Sequence, residues 1–273
     1  MSDAPRPAVI TPLAARLGTL AQDRTLVVAH RGASDQYPEN TVPAFAAAIA
    51  AGAELVEFDV QVTRDGMLVC LHDETLDRTT DARSALGGRD LRVADLDWAA
   101  VRHLDAGAWK GPARRGARVP SLREGLAAIV AGAVPMLERK GGSAEAVVSL
   151  LRDAGLVDRV LVQSFDWEWL RAVRRLEPAL TLGALGEDPL DAATHAAIDA
   201  LGVAFVHWDW RTVRSEDVAS LHARGYLTCV YTVDPDLALL GAMAAGVRMV
   251  TTNHAARLVE LRRQHCGSRP TRG

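Results

Sequence analysis

Short apolar runs alternate with longer amphipathic stretches along nearly the whole chain. Thr25-Leu-Val-Val-Ala-His30 is a run of this kind closed by a polar residue, which predicts a buried strand ending in a loop. Similar runs begin at about residues 54, 134, 159, 179, 204, 226 and 247, making eight in all. Between them, apolar residues recur at helical spacing over 121–131, 144–154, 167–176, 190–201, 215–223, 235–245 and 254–263. A further helix is expected over 41–51, with Asn40 or Thr41 as its cap and Gly52 as its stop. Eight strands, each followed by a helix, predict an α/β protein of the TIM (β/α)8 barrel class.

The rhythm breaks once. After the strand at 54–60 come the turn signal Thr63-Arg-Asp-Gly66, a short strand over 67–71, and a polar, glycine-containing excursion over about 76–120. One amphipathic stretch is expected near Val93–Leu104. A segment of this length between barrel units predicts a small inserted subdomain after the second strand, beside the active site. Residues 1–24 form an N-terminal segment in which Leu13, Leu17 and Leu20 predict a helix covering the bottom of the barrel. The barrel then occupies 25–263, and 264–273 is expected to be a short disordered tail.

With 273 residues and 49% hydrophobic content, the chain can bury one large core. Its net charge of -3 gives no electrostatic reason to expect a nucleic-acid partner. Cys70, Cys229 and Cys266 are too few and too scattered for a disulfide framework, so reduced thiols are expected, with Cys70 and Cys229 buried in strand-like runs. No apolar stretch reaches about 18 residues, which argues against stable membrane association. The first residues lack the basic region and apolar block of a secretory signal, so a cytoplasmic location is expected. The oligomeric state is left open.

The chemistry concentrates in the first quarter of the chain. Glu57 and Asp59 alternate on one strand and therefore share a face, where two acids in apolar surroundings are costly unless a cation lies between them. Glu138 and Lys140 repeat the arrangement on another strand. A Mg²⁺ or Ca²⁺ site wants several oxygen ligands, and Lys140 adds a point charge for a phosphate. His30 and His72 sit near strand ends, and two imidazoles near their ordinary pKa of about 6.5 can divide proton transfer in a bell-shaped pH profile. His30, Asp59, Lys140, Ser164, Trp210, Thr232 and Asn253 all fall at or just beyond strand ends, where barrel enzymes keep their chemistry.

His30-Arg31-Gly32, Pro38-Glu39-Asn40-Thr41, Glu57-x-Asp59, Asp65-Gly66, His72-Asp73 and Leu76-Asp77-Arg78-Thr79-Thr80 together resemble the glycerophosphodiester phosphodiesterase family. Leu104-Asp105-Ala106-Gly107, Val119-Pro120-Ser121-Leu122, Glu138-x-Lys140, Gln163-Ser164-Phe165 and Tyr231-Thr232-Val233 follow in the family's order, so the resemblance spans about residues 25–255. It implies a metal-dependent hydrolase that cleaves glycerophosphodiesters to glycerol 3-phosphate and an alcohol. Glu57, Asp59 and Glu138 would ligate one divalent cation, Mg²⁺ or Ca²⁺ first and Mn²⁺ as a further candidate. His30 and His72 would be the acid/base pair, and Arg31 and Lys140 would hold the phosphate with Glu39 close by.

Two departures from the family pattern stand out. Thr252-Asn253 replaces the Thr-Asp of many relatives, a change expected to affect only contacts at that rim. Tyr231 stands where relatives often carry Trp, and Trp208 and Trp210 are candidates for an apolar pocket wall beside it. His207 and His254 are expected to be structural or exposed. The alternative function is a phosphodiesterase acting on lysophospholipids or other lipid headgroups. A non-enzymatic phosphate-binding barrel is disfavoured, because a scaffold has no need of both histidines and all three acids. No Ser, Cys or Thr in the first block stands beside a histidine as a nucleophile, so the substrate's own vicinal hydroxyl is the expected attacker, through a cyclic 1,2-phosphate.

Overall fold

Eight parallel strands close on themselves in the computed structural model, which describes residues 8–266. They are β1 (Leu26–His30), β2 (Leu55–Val62), β4 (Val134–Arg139), β5 (Leu161–Ser164), β6 (Thr181–Gly186), β7 (Phe205–Asp209), β8 (Leu227–Tyr231) and β9 (Met249–Thr252). Each pairs with the next, and β1 pairs with both β2 and β9, which shuts the barrel. β3 (Leu68–Cys70) lies outside the ring, antiparallel to β2. The barrel class read from the sequence is the fold of the chain.

The helices α2 (Val42–Ala50), α5 (Leu122–Ile129), α6 (Ala144–Asp153), α7 (Trp167–Leu176), α8 (Ala192–Asp199), α9 (Ser215–Ala223), α10 (Asp236–Ala244) and α11 (Ala255–Cys266) run between and after the strands. Their starts are set locally. Thr41, Ser121, Ser143 and Asp166 each accept a hydrogen bond from a first-turn N–H, and at α5 Glu124 completes a capping box with Ser121. No helix among the described residues is long and apolar enough to cross a membrane.

Inside the barrel the side chains change character from one end to the other. Leu26, Val28, Leu55, Met136, Leu161, Phe205 and Met249 form an apolar floor. From below, α1 (Pro12–Leu20) seals it with Leu13 and Leu17, and Thr11 Oγ1 meets Thr181 Oγ1 at 2.5 Å. Above the floor lies a buried polar layer, in which His207 joins Gln163 Oε1 at 2.7 Å and Thr251 Oγ1 at 3.0 Å. The acids lie above that, towards the C-terminal strand ends. Cys70 and Cys229 are both buried free thiols.

The excursion packs Leu76, Val93, Val101, Leu104 and Val119 against Val69 of β3 and Leu71 in a small separate core. The amphipathic stretch expected near Val93–Leu104 is not one helix: a 3-10 turn over Val93–Asp95 and α4 (Trp98–Val101) flank an extended Leu96. Arg64 pins the break by donating from Nε and Nη2 to the two carboxylate oxygens of Asp97. The excursion also contains α3 (Ala82–Ala85). Of the tail expected at 264–273, residues 264–266 continue α11 and the rest lies outside the described residues.

Candidate active site

The β1–α2 loop is built from residues in unusual backbone geometry. Arg31 and Asn40 both have φ of 56°, a left-handed conformation that costs a non-glycine residue about 1–2 kcal/mol. Gly32 follows at φ 86°, where an added Cβ would lie 2.7 Å from the Ala44 carbonyl carbon. The turn aims the Arg31 N–H at Glu57 Oε2, 3.0 Å away. It also places Asn40 to grip Asp59 twice, Nδ2 donating to Oδ2 at 2.8 Å and Oδ1 accepting from the Asp59 N–H at 3.1 Å.

Glu57, Asp59 and Glu138 each offer a carboxylate oxygen within 4.8 Å of the others. Glu57 and Asp59 are 1% exposed and Glu138 8%, so water screens them little. Burial, then Asp59 and Glu138, hold the Glu57 carboxyl well above its ordinary range. Burial, then Asp59, raises Glu138 to about 7 despite Lys140. Glu57 Oε1 is buried without a hydrogen-bond partner. An orphaned buried oxygen inside a converging set of hard oxygen donors fits a divalent cation, and Mg²⁺, Ca²⁺ and Mn²⁺ are the ions such ligands suit.

The basic residues surround this cluster. Lys140 Nζ lies 2.5 Å from Glu138 Oε1 and 3.7 Å from Asp59 Oδ1. Arg31 reaches Asp59 Oδ2 at 3.2 Å and donates to Glu39 Oε1 at 2.7 Å. Glu39 also takes two bonds from Arg78, and Arg78 in turn binds Asp73. Burial alone would raise Glu39, but Arg78 and Arg31 bring it down to about 2. The chain of ion pairs ends at His72, whose Nδ1 is 2.7 Å from Asp73 Oδ1. Arg78, in the excursion, thereby ties His72 to the β1–α2 loop.

His30 lies 4.0 Å from Glu57 Oε2 through Nε2, and its Nδ1 meets Asn253 Oδ1 at 2.7 Å. Asn253 is fixed by Asp234, which accepts from its Nδ2 at 2.7 Å and from its N–H at 2.9 Å. A carboxylate can only accept, so the Asn253 amide oxygen faces His30, where Ser34 Oγ also donates to it. The expectation that Asn253 affects only the rim is therefore corrected, because it orients His30. The expectation of an ordinary pKa is corrected too: burial, then the charge of Arg31, lower His30 to about 4.

The structure brings His30, Arg31, Glu39, Glu57, Asp59, His72, Glu138 and Lys140 into one network, but it distributes the aromatic candidates differently. Tyr231 stands edge-on to His207 at 4.9 Å and to Phe165 at 6.1 Å, with its hydroxyl donating to the Gly186 carbonyl. Trp208 is 2% exposed, packs in the outer core and borders a cavity beyond β6. Trp210 lines a separate groove with residues of α9 and α10, including Val218 and Ala242. His207 is buried in the polar layer, lowered to about 3 chiefly by burial, and His254 lies 3.4 Å from Asp35. Arg78 and Asp234 are contributors to which sequence reasoning assigns no role, while it reads Asn40 only as a helix cap and Asn253 only as a rim residue. Asn40 and Arg78 carry a signal as members of the motifs quoted for the resemblance, and Asn253 carries one by its place just beyond a strand end; Asp234 carries none.

Residues 30–257 match the model of the Glycerophosphoryl diester phosphodiesterase family. The glycerophosphodiester phosphodiesterase of Bacillus subtilis is 32% identical over 270 residues, with 90% of each chain covered. That of Caldanaerobacter subterraneus is 32% identical over 248 residues, covering 88% of this chain and 99% of its own. Among solved structures, an Oleispira antarctica phosphodiesterase in complex with the product sn-glycerol-3-phosphate superposes with a TM-score of 0.79 at 26% identity, covering 90% of this chain and 98% of its own. The glycerophosphodiester phosphodiesterase of Agrobacterium tumefaciens superposes with a TM-score of 0.75 at 26% identity, covering 86% of this chain and 99% of its own.

Proposed function

Because the chain belongs to the glycerophosphoryl diester phosphodiesterase family, we propose that it hydrolyses glycerophosphodiesters to glycerol 3-phosphate and an alcohol. The observation that carries this reading is the convergence of three buried acids with two histidines from different strand ends. Glu57, Asp59 and Glu138 would hold one divalent cation, which when bound supplies positive charge opposite the phosphate oxygens. Arg31 and Lys140 flank the same spot and add charge against the phosphodiester anion.

The two histidines divide the proton transfers according to their partners. The Nδ1–H of His30 is committed to a neutral amide oxygen, so Nε2 keeps its lone pair towards the acids and serves as the base. His72 Nδ1 meets the Asp73 carboxylate, which holds the ring in place, and His72 serves as the acid that protonates the leaving alkoxide. Asp73 itself stays ionised: Arg78 first, and His72 after it, hold it down at about 2. His30 takes its proton from the glycerol hydroxyl vicinal to the phosphoester, and a cyclic 1,2-phosphate forms before water opens it. An attacker already tethered beside phosphorus gains greatly from proximity. In the same reading, residues 25–263 form one barrel unit and the excursion over about 76–120 shapes its entrance.

The test is glycerol 3-phosphate release from chelated enzyme, with Mg²⁺, Mn²⁺ or Ca²⁺ restored singly. Activity should vanish on chelation and return with a cation, and a diester of propane-1,3-diol should bind but hardly turn over. Full activity after exhaustive chelation would refute the metal assignment, and rapid cleavage of the propanediol analogue would refute the cyclic intermediate. Two half-exposed aromatic side chains, Trp109 and Phe165, favour a second reading, diesterase action on lipid headgroups. A requirement for micellar substrate would decide for it.

A further inference from the structure

Residues 106–123 carry five basic side chains, Lys110, Arg114, Arg115, Arg118 and Arg123, and not one acid, in a chain whose net charge is -3. None of the five forms an ion pair among the described residues, and of them Arg118 alone feels an acid, Asp105. Elsewhere the fold pairs its cations with acids, as at Arg64–Asp97, Arg78–Glu39 and Arg257–Asp236.

Most of this segment is a closed loop. Asp105 clamps both feet: its Oδ1 accepts from the N–H groups of Gly107 at 2.7 Å and Ala108 at 2.8 Å, and its Oδ2 from that of Gly116 at 2.7 Å. The limbs approach so closely that a Cβ on Gly107 would lie 1.8 Å from the Arg114 carbonyl oxygen. The loop is seated at the mouth of the barrel. Lys110 Nζ donates to the Ser34 carbonyl at 2.6 Å, and Arg114 Nε donates to the Gln36 carbonyl at 3.1 Å with its guanidinium 3.7 Å from the Tyr37 ring centroid. Ser34 is the residue whose hydroxyl reaches Asn253 beside His30.

At its tip the loop shows hydrocarbon. Trp109 is 39% exposed, and its Nε1 already donates to the Ala106 carbonyl at 2.9 Å, so what meets the solvent is ring surface. Pro112 and Ala113 of the same tip are exposed too. The carbonyls that anchor Lys110 and Arg114 are neutral and leave their charge uncancelled, and Arg115 is exposed with no partner among the described residues. Asp35, the acid of the facing loop, is itself engaged by Gln36 Nε2 at 3.3 Å and lies 3.4 Å from His254 Nδ1.

A half-exposed indole among unpaired cations suits the interfacial layer of a bilayer, with the ring at headgroup level and the cations against phosphate. A nucleic acid would use the cations but leave the apolar tip facing water. Screening over about 8 Å at physiological salt lets this local sign outweigh the net charge of the chain.

We propose that the loop over 107–117 docks the protein reversibly on an anionic phospholipid surface, with Trp109 among the headgroups and Lys110, Arg114 and Arg115 against their phosphates. The mouth of the barrel then faces the bilayer. The inference goes beyond the phosphodiesterase reading and holds whichever diester is cleaved. One ring and three cations make a weak, salt-sensitive attachment, unlike that of a membrane-spanning helix.

The test is sedimentation of the full chain with vesicles of phosphatidylcholine, prepared with and without phosphatidylglycerol. The protein should bind the mixed vesicles, leave them as salt is raised, and bind pure phosphatidylcholine about tenfold more weakly. Trp109→Ala and Arg115→Glu should each lower the partition coefficient on mixed vesicles by about fivefold or more, with circular dichroism unchanged. No binding to the mixed vesicles overturns the proposal, as does binding that either substitution leaves unchanged. A DNA duplex bound as tightly as the mixed vesicles would make the loop a general polyanion site and likewise overturns it. None of these readouts needs turnover, so they stand apart from any failure of the phosphodiesterase reading.

Discussion

Asn253 carries more of the site than its type suggests. Its amide is locked between Asp234 and His30, and this settles which nitrogen of His30 faces the acids. His30→Ala should lower kcat by about 10² to 10⁴ with the fold intact, and His72→Ala should do likewise. Circular dichroism and steady-state kinetics across pH check this, and near-normal turnover by either variant would make that residue structural. Glu57 and Asp59 were legible in the sequence because alternation along one strand forces two acids onto one face. Asn253 was not, because its bond to His30 joins residues 223 positions apart and no local periodicity reports such a pair. The lowered pKa of His30 was hidden for the same reason, since it follows from burial in a barrel whose walls come from the whole chain.

The strands and most helices follow from pattern alone, because burial of one face imposes a period that the sequence has to repeat. The excursion follows other rules. Val93–Leu104 has helical spacing, yet Arg64 and Asp97 break it with a contact 33 residues apart. Glycines in the strands are similarly silent until their neighbours are known. Gly183 in β6 faces Phe205 of β7, and a Cβ there would lie 2.1 Å from the ring, so its missing side chain makes room for the aromatic group in the barrel floor. Gly183→Ala should cost about 1–3 kcal/mol of stability through overpacking. Urea denaturation measures it, and an unchanged midpoint would show that the floor has slack.

For the molecule as a whole, the acid cluster sets function against stability. Without a cation, the folded protein keeps a proton on the buried Glu57 at pH values where the unfolded chain has released it, near the ordinary 4.5. The folded state then binds more protons than the unfolded one, so this group's contribution to stability falls as pH rises above about 4.5. In chelator, Glu57→Gln should melt several degrees above the unaltered protein at pH 8, with the gap narrowing towards pH 5. Added Mg²⁺ or Ca²⁺ should reverse the order by stabilising only the protein that binds it. Thermal melts at the two pH values check both signs, and a variant that melts lower than the unaltered protein in chelator at pH 8 would contradict the argument. At the other end of the barrel, α1 and the apolar floor act as a stopper. Among the described residues, the site is thus a well closed at its apolar end and open towards the C-terminal ends of the strands. In the proposed two-step reaction the phosphoglycerol half stays at the bottom, so the alcohol would leave first and the water that opens the cyclic phosphate would come in through the space it vacates.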